Sequence, residues 1–215
     1  MDVTNGLLAG KRLMAIDLET TGFGLSEGHG VIEVARVTID DGALGDDWTT
    51  LVRPRRPVSD GSREVHGISD GMLRDAPEPR HVAEALVAAC DDLPLVVHNA
   101  PFDIPFLARL FRDADREPLV NPVIDTLGLA RGLFGSGNNA LGTLRLALGL
   151  PEEREHRALG DARTAARTLL ALTPRWEVER GVRSIAELAA ASQDVLRLSM
   201  RRGSEAPALD RRFTA

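Results

Sequence analysis

Several residue types are scarce in this chain of 215 residues, and each scarcity excludes a class of protein. The single cysteine, Cys90, excludes an internal disulfide and a zinc site built from several cysteines. No apolar run approaches the roughly 20 residues that a membrane-spanning helix needs. The N-terminus shows no basic region followed by an apolar stretch, so no signal peptide is indicated. We therefore expect a soluble, cytoplasmic protein without a membrane partner.

Aromatic residues are also scarce, with six Phe, two Trp and no Tyr, so the core must consist mainly of aliphatic side chains. Hydrophobic residues make up 43% of the chain, which is enough for a folded domain. The net charge of −6 argues against a protein that coats nucleic acid with a broad basic surface. The same charge leaves room for an acidic site that recruits divalent cations.

The apolar pattern predicts three strands first and an alternation of helices and strands afterwards. The predicted strands cover residues 12–18, 31–39, 47–53, 94–98 and 120–124. Helical spacing of apolar residues predicts helices near 82–90, 106–111, 125–134, 139–148 and 158–172. This order indicates an α/β domain with a mixed five-stranded sheet flanked by helices.

The C-terminal part of the chain is expected to form a separate extension. Pro174 is expected to close the domain at about residue 173. Ser184 and Glu187 form a capping-box pattern ahead of a helical run that reaches Arg201. The polar residues from Gly203 onward are expected to be frayed or disordered. The predicted division is a domain over 1–173 and a helical extension over 174–215.

Three separate segments direct carboxylates toward packed surface. Asp17 and Glu19 are two residues apart on the first strand and share a face, while Asp103 and Asp161 lie at helical spacing from apolar residues. Burying such groups without partners costs several kcal/mol, in order of magnitude. No Arg occupies these inward positions at compatible spacing, and hard oxygen ligands suit Mg²⁺ or Mn²⁺.

Each carboxylate also has an interpretation that involves no metal. A lone Asp-x-Glu pair on a strand is usually solvated or bound in a salt bridge. Asp103 could be a charge that complements the helix dipole at an N-terminus. Asp161 could pair with Arg157 or Arg163. It is the joint occurrence of all four, in their sequence contexts, that favours a metal site.

In those contexts the sequence resembles the DEDDh 3′–5′ exonucleases, the family of the proofreading epsilon subunit of bacterial DNA polymerase III and its stand-alone homologues. The three motifs are IDLETTG at 16–22, HNAPFD at 98–103 and HRALGDA at 156–162. Further marks of the family are VIEV at 31–34, VHGI at 65–68 and DTL at 125–127. The likeness runs from about residue 10 to 173 and implies a ribonuclease H-like fold.

The resemblance implies phosphodiester hydrolysis with two divalent ions, Mg²⁺ or Mn²⁺. Asp17 is expected to bridge both ions, and Glu19 and Asp161 to complete the site that activates water. Asp103 is expected to hold the other ion, partly through water. His156 is the expected general base, kept neutral by the nearby cations.

Six further residues are expected to bind substrate. Thr20, Thr21 and Gly22 belong to the first motif, whose threonines lie near the terminal 3′-hydroxyl in the family. His66 is expected in the substrate groove, Asn99 in contact with substrate, and Phe102 against the terminal base.

These residues also have structural interpretations. Thr20 and Thr21 could be turn residues, Asn99 a helix cap and Phe102 a core residue. We further expect His98 to satisfy a buried hydrogen bond and Asp125 to cap a helix. Cys90 is expected to be structural, and His29 an exposed loop residue.

The favoured function is a metal-dependent 3′–5′ exonuclease that acts on single-stranded or frayed DNA 3′ ends in proofreading or repair and releases 5′-mononucleotides. An alternative is a 3′–5′ exoribonuclease similar to RNase T or oligoribonuclease, because discrimination of the 2′-hydroxyl depends on the shape of the pocket. A third is an accessory subunit that docks on a DNA polymerase through the helix over 184–201. That helix offers four apolar residues, Leu188, Val195, Leu196 and Leu198.

Overall fold

The computed structural model describes residues 6–201. A five-stranded mixed sheet lies at the centre of the fold. The strands are β1 (Arg12–Thr20), β2 (Val31–Asp40), β3 (Ala43–Leu51), β4 (Leu95–Val97) and β5 (Val123–Asp125). The helices are α1 (Asp60–His66), α2 (Asp70–Leu73), α3 (Pro79–Cys90), α4 (Ala100–Asp113), α5 (Thr126–Phe134), α6 (Leu141–Ala147), α7 (Ala158–Arg180) and α8 (Ile185–Arg201). A short 3₁₀ turn lies at Leu25–Glu27.

The strand order β3-β2-β1-β4-β5 confirms the predicted mixed sheet. Strands β1, β2 and β3 form an antiparallel meander, and β4 and β5 run parallel to β1. The turn between β2 and β3 is tight because Asp41 and Gly42 both adopt positive φ, 52° and 75°. The central position of β1 explains why almost every residue of its sequence is buried.

The two faces of β1 belong to two different hydrophobic clusters. Leu13 and Ala15 pack in one cluster with α5, α7 and α8. Met14, Ile16 and Leu18 pack in the other with α3 and α4. Because side chains alternate along a strand, the odd-numbered residues that follow Ala15 share the face that α7 covers. This alternation determines where the carboxylates of β1 point.

Two predicted strands are shifted in the structure. Strand β3 covers Ala43–Leu51 and not 47–53, because the Asp41-Gly42 turn returns the chain directly into the sheet. Strand β5 covers Val123–Asp125 and not 120–124. Pro122 directly precedes β5, and its carbonyl accepts the Leu95 N–H, whereas its nitrogen has no hydrogen to donate to a ladder.

Helix α7 is longer than the predicted 158–172, because it continues through Pro174 to Arg180. Pro174 lies on the exposed side of α7, so the hydrogen bond that its ring removes is on the solvent side of the helix. The helix ends instead at Gly181, which adopts a left-handed φ of 70°. The division of the chain at residue 173 stays a prediction.

Helix α8 begins as predicted and lies against the domain. Ser184 accepts the Glu187 N–H at 3.1 Å, and the Glu187 carboxylate accepts the Arg183 N–H at 2.7 Å. The approach of α8 to α5 is close: a Cβ on Gly128 would be 2.1 Å from the Ser192 carbonyl oxygen.

Three of the four apolar residues proposed for docking on a polymerase face this core. Leu188 and Leu196 are buried, Val195 packs beside them, and Leu198 is 53% exposed. The apolar face of α8 is therefore occupied by the domain itself. The predicted disorder from Gly203 onward falls outside the described residues. Within those residues, no helix is both long and apolar enough to cross a membrane.

Candidate active site

Three carboxylates from two elements meet on the face of the sheet that α7 covers. Asp17 and Glu19 follow Ala15 on β1 at alternate positions, and Asp161 lies in the first turn of α7. Each offers a carboxylate oxygen, and these atoms all lie within 4.8 Å of one another. The three residues are at most 5% exposed. The structure thus brings together three of the four predicted metal ligands, and we call this group the carboxylate cluster.

The carboxylate cluster has the chemistry of a site for a divalent cation. Three negative charges at this distance repel one another, and burial weakens the screening by water. A cation of charge +2 bound between them offsets this repulsion. Carboxylate oxygens are hard ligands, which suit Mg²⁺ and Mn²⁺ better than softer transition metals.

The fourth predicted ligand, Asp103, is also buried but lies outside the carboxylate cluster. It lies in the first turn of α4, on the inward face with Phe106 and Leu107. Asn99 occupies the N-cap position of this helix with a left-handed φ of 69°, yet its side chain makes no capping hydrogen bond. The interpretation of the Asn99 side chain as a cap is therefore wrong.

Asp125 supplies the acceptor that the start of α4 needs. Its carboxylate accepts the N–H groups of Asn99 at 3.1 Å and Ala100 at 2.6 Å. It also accepts those of Leu127 and Gly128, which confirms the prediction that Asp125 caps α5. Burial raises the pKa of Asp125 to about 6, although these four N–H donors act in the opposite direction.

His98 and Cys90 are structural, as predicted. The His98 ring binds the Thr126 hydroxyl at 2.9 Å in the interior. Cys90 is buried in the cluster that α3 and α4 form with β1, and burial raises the pKa of its thiol to about 11.

His156, the predicted general base, lies in the loop just before α7. It is half-buried and adopts a left-handed φ of 56°, an uncommon conformation for a residue with a side chain. Its Nδ1 atom is buried and makes no hydrogen bond to any of residues 6–201. Glycine is needed nearby, because a Cβ on Gly160 would be 2.1 Å from the carbonyl oxygen of Arg154 in the same loop.

An ion pair fixes the residue that follows His156. The Arg157 guanidinium binds the Glu33 carboxylate through two nitrogens, and the Nε–Oε2 distance is 2.9 Å. Glu33 also accepts the Ala158 N–H at 3.0 Å, so it caps α7 from β2. Arg157, one of the two arginines considered as a partner of Asp161, thus pairs with Glu33. Glu33 belongs to the VIEV segment at 31–34, and no local sequence pattern indicates its pairing with Arg157.

The first motif ends in a turn whose hydroxyls bind within the chain. Thr20 donates to the Gly22 carbonyl at 2.9 Å, and Thr21 accepts the Gly30 N–H at 3.1 Å. The Thr21 hydroxyl also binds Nδ1 of His29 at 3.0 Å. These bonds fit the interpretation of both threonines as turn residues.

The expectation that His29 is an exposed loop residue is wrong. Its side chain is 8% exposed, and burial lowers the pKa of its ring. A Cβ on Gly22 would lie 2.3 Å from Cε1 of the His29 ring. Only glycine at position 22 therefore leaves room for this ring. The 3₁₀ turn at Leu25–Glu27, which no apolar pattern indicated, returns the chain toward this contact.

His66 lies at the end of α1 with its ring buried against the first motif. Its Nδ1 accepts the Ile68 N–H at 3.0 Å, so the neutral ring carries its proton on Nε2. That atom donates to the Thr20 carbonyl at 3.3 Å. Burial lowers the pKa of His66, which favours the neutral ring.

Phe102 is half-buried in a row of three aromatic rings beside Asp103. Its ring centroid is 6.3 Å from that of Phe23 in an edge-on arrangement, and 5.2 Å from that of Phe106. This row joins the loop after β1 to α4. Phe102 therefore contributes to packing, and part of its ring is left at the surface.

Comparison with known proteins agrees with this geometry. The sequence model of the exonuclease family matches residues 14–169. The DNA polymerase III subunit epsilon-like protein of Rhodobacter capsulatus is 37% identical over 172 residues, which cover 75% of this chain and 23% of that protein. The PolC-type DNA polymerase III of Bacillus cereus is 39% identical over 156 residues, 72% of this chain and 11% of that protein. This chain thus spans less than a quarter of either relative.

A relative of more similar length is the DNA polymerase III subunit epsilon of Pasteurella multocida, 34% identical over 172 residues. These cover 75% of this chain and 68% of that protein.

Solved structures show the same fold. Exonuclease X in complex with 5′ overhanging duplex DNA has a TM-score of 0.64 at 27% identity and covers 84% of this chain and 99% of that chain. Escherichia coli Exonuclease I, solved with an oligonucleotide, has a TM-score of 0.70 at 16% identity and covers 80% of this chain and 43% of that one. These neighbours confirm the ribonuclease H-like fold. With the family match over residues 14–169, they show that the chain belongs to the exonuclease family.

Proposed function

We propose that this protein is a metal-dependent 3′–5′ exonuclease that hydrolyses phosphodiester bonds at DNA 3′ ends and releases 5′-mononucleotides in proofreading or repair. The observation that carries the proposal is the carboxylate cluster, where Asp17, Glu19 and Asp161 meet within 4.8 Å. Family membership supports the reaction class. DNA is favoured over RNA as substrate because the relatives are DNA polymerase III proteins and Exonuclease X was solved with duplex DNA.

The four carboxylates would hold two divalent cations, Mg²⁺ or Mn²⁺. Asp17 is proposed as the bridging ligand, Glu19 and Asp161 as the remaining ligands of one ion, and Asp103 as the ligand of the other, partly through water. Such ions supply a nucleophilic hydroxide at neutral pH and stabilise negative charge on the attacking and leaving oxygens.

His156 is proposed to accept the proton of the attacking water. The oxygen of that water bonds to phosphorus while the bond from phosphorus to the 3′ oxygen of the preceding nucleotide breaks, and that oxygen takes a proton from solvent. Glu33 and Arg157 hold the start of α7 in place beside the histidine. General-base assistance of this kind contributes about 10²–10⁴-fold to the rate.

The terminal nucleotide is proposed to lie beside the end of β1. Thr20, Thr21 and Gly22 would approach its 3′-hydroxyl, and His66 and Asn99 would line its groove. Phe102 would stack on the terminal base, a contact worth about 1–3 kcal/mol. Stacking by Phe102 is supported by the exposed part of its ring. A substrate contact by Asn99 is supported by its side chain, which makes no capping hydrogen bond to α4.

The deciding experiment incubates the purified protein with 5′-labelled DNA and RNA of one sequence, with matched and mismatched 3′ ends. Mg²⁺, Mn²⁺ and EDTA form the three conditions. We expect stepwise shortening from the 3′ end with either cation, faster on DNA and on frayed ends, and none with EDTA. Faster RNA digestion would reassign the substrate, and cleavage within the strand or in EDTA would refute the proposal.

A further inference from the structure

A surface depression between the segment that follows β3 and helix α4 is rich in arginine, although the chain as a whole carries a net charge of −6. Its lining includes Arg53, Arg55, Arg56 and Arg109, and we call these four residues the arginine surface. Asp113 is the one acidic residue among those that line it. The first three arginines lie in the segment between β3 and α1, and Arg109 lies on α4.

Two contacts connect the lining of the depression to residues of the candidate active site. Phe106 lines the same depression, and its ring is 5.2 Å from that of Phe102, the residue before Asp103. On the other side the lining includes His29, whose ring binds Thr21 at the end of the first motif. A strand that ran from the end of β1 along α4 would therefore reach the arginines.

Only part of the positive charge is balanced locally. Arg53 pairs with Glu78 at 2.6 Å, and both side chains are about half exposed. Asp113 is shared by Arg109 at 2.9 Å and Arg55 at 3.9 Å. Arg56 binds the uncharged carbonyl of Glu27. Among the described residues, the four guanidinium groups thus have two carboxylate partners within 4.0 Å, and exposed pairs of this kind contribute little to stability.

We propose that the arginine surface binds the phosphodiester backbone of the nucleic acid strand on the 5′ side of the scissile bond. This rests on the proposed function, which places the 3′ end at the carboxylate cluster. The guanidinium fork matches two oxygens of a phosphate and remains charged at any physiological pH. The net negative protein would then attract its substrate through this limited patch and not through a broad basic surface.

The spacing along α4 agrees with this path. Arg109 follows Asp103 by six residues, about 9 Å along a helix that rises 1.5 Å per residue. Phosphates follow one another along each strand of a duplex at about 3.4 Å of axial rise, and further apart when a single strand is extended. The arginines would therefore contact the second and third phosphates from the end, while the scissile phosphate lies at the carboxylate cluster.

The test compares two double variants that each remove two exposed arginines. Arg53→Gln/Arg55→Gln changes the arginine surface. Arg12→Gln/Arg197→Gln is the control, since each of these two arginines also pairs with one exposed acidic residue. Arg12 is the first residue of β1, at the opposite end from Thr20, and Arg197 lies on α8. Each double variant is made in an Asp103→Asn background to prevent digestion. Binding of a fluorescent single-stranded DNA of about twelve nucleotides is followed by anisotropy across salt concentrations.

We expect the slope of log affinity against log salt to become shallower by about 1.4 in Arg53→Gln/Arg55→Gln, because each lost phosphate contact removes about 0.7 for a single strand. The control should keep the parent slope. Equal slopes in the two double variants, or no DNA binding by the parent, would overturn the proposal.

A second readout separates this proposal from the proposed function. The p-nitrophenyl ester of thymidine 5′-monophosphate has one phosphate, so its hydrolysis reports the carboxylate cluster without the arginine surface. In the otherwise unchanged enzyme, Arg53→Gln/Arg55→Gln should hydrolyse this ester at the normal rate and show a several-fold higher KM on the oligonucleotide. An unchanged KM would count against the arginine surface. Failure of the unsubstituted enzyme to hydrolyse either substrate would refute the proposed function, whereas the binding slopes would still decide the role of the arginines.

Discussion

Two groups of buried carboxylates differ in what surrounds them. Glu33 and Asp125 accept hydrogen bonds from N–H groups at helix starts, and Glu33 also binds a guanidinium. Asp17, Glu19 and Asp161 come from two elements, and each has a carboxylate oxygen within 4.8 Å of those of the other two. The first arrangement stabilises a fold, because donors offset the burial of the charge. The second stores repulsion that a cation relieves, and this difference separates structural acids from candidate ligands.

The structural carboxylates also support the residues of the site. Glu33 caps α7, and its partner Arg157 directly follows His156. Asp125 accepts the N–H groups that open α4, the helix that carries Asp103. Each structural acid is therefore connected to one proposed catalytic residue through a few backbone bonds. A site of this kind needs such support because small displacements of reacting groups lower rates strongly.

The largest effect is expected for Asp17→Asn. Hydrolysis of DNA should fall by about three orders of magnitude or more, because cation binding contributes several kcal/mol to the transition state. Mn²⁺ affinity in a calorimetric titration should fall with it. In EDTA the variant should have a higher Tm than the parent, because one repulsive charge has left the carboxylate cluster.

Asp46→Asn is the matched control, since it removes an exposed carboxylate from β3. It should leave activity, Mn²⁺ affinity and Tm unchanged. Unaltered Mn²⁺ affinity in Asp17→Asn would place Asp17 with the structural acids.

The next effect concerns His156→Ala, which should reduce kcat by about 10²–10⁴-fold while Mn²⁺ binding stays intact. A base accepts a proton and does not ligate the ions, so turnover and metal affinity should separate in this variant, unlike in Asp17→Asn. Single-turnover rates and the same calorimetric titration measure the two quantities. His81→Ala, at an exposed position on α3, serves as control. Loss of Mn²⁺ binding in His156→Ala would make the histidine a ligand.

The sequence predicts the carboxylate positions well because their signals are local. Alternation along β1 places Asp17 and Glu19 on one face, and helical spacing places Asp103 and Asp161 inward; their burial confirms this. The Glu33–Arg157 pair joins residues 124 positions apart, so no local pattern indicates it. His29 is buried through a turn and the missing side chain of Gly22, which depend on packing. Pro174 shows the same limit. Proline usually ends a helix, but the sequence does not indicate that this proline lies on the solvent side of α7, where the helix tolerates it.

Among the structural acids, Asp125→Ala is expected to cost about 3 kcal/mol of unfolding free energy. Four buried N–H groups lose their acceptor, two of them at the start of α4 and two at the start of α5. Denaturant unfolding in EDTA measures the change. Asp125→Ala should fall below the parent where Asp17→Asn rises above it. A rise in both variants would remove the distinction between the two groups of acids.

A smaller effect is expected when the Glu33–Arg157 pair is weakened. Glu33→Gln keeps an oxygen for the Ala158 N–H but loses the charge that holds Arg157. We expect kcat to fall about tenfold with KM and Mn²⁺ affinity unchanged, because the loop of His156 is less firmly placed. Adding Arg157→Gln to Glu33→Gln should lower kcat little further, since the two substitutions remove the same interaction. Fully additive losses would show that the two residues act independently.

The last prediction concerns the pH dependence of stability that Asp125 contributes. Burial raises its folded-state pKa to about 6 from 3.8, so between these values the folded protein binds more protons than the unfolded chain. The stability from this group is therefore fully present below pH 3.8 and is lost as the pH rises through about 6. Asp125→Asn lacks this titration. Relative to the variant, the parent should lose stability from pH 4 to 7, by at most about 1.4 kcal/mol per pH unit. Denaturant unfolding across this range tests the sign. A constant difference between the two proteins would show that the N–H donors cancel the effect of burial at Asp125, and a reversed trend would show that they outweigh it.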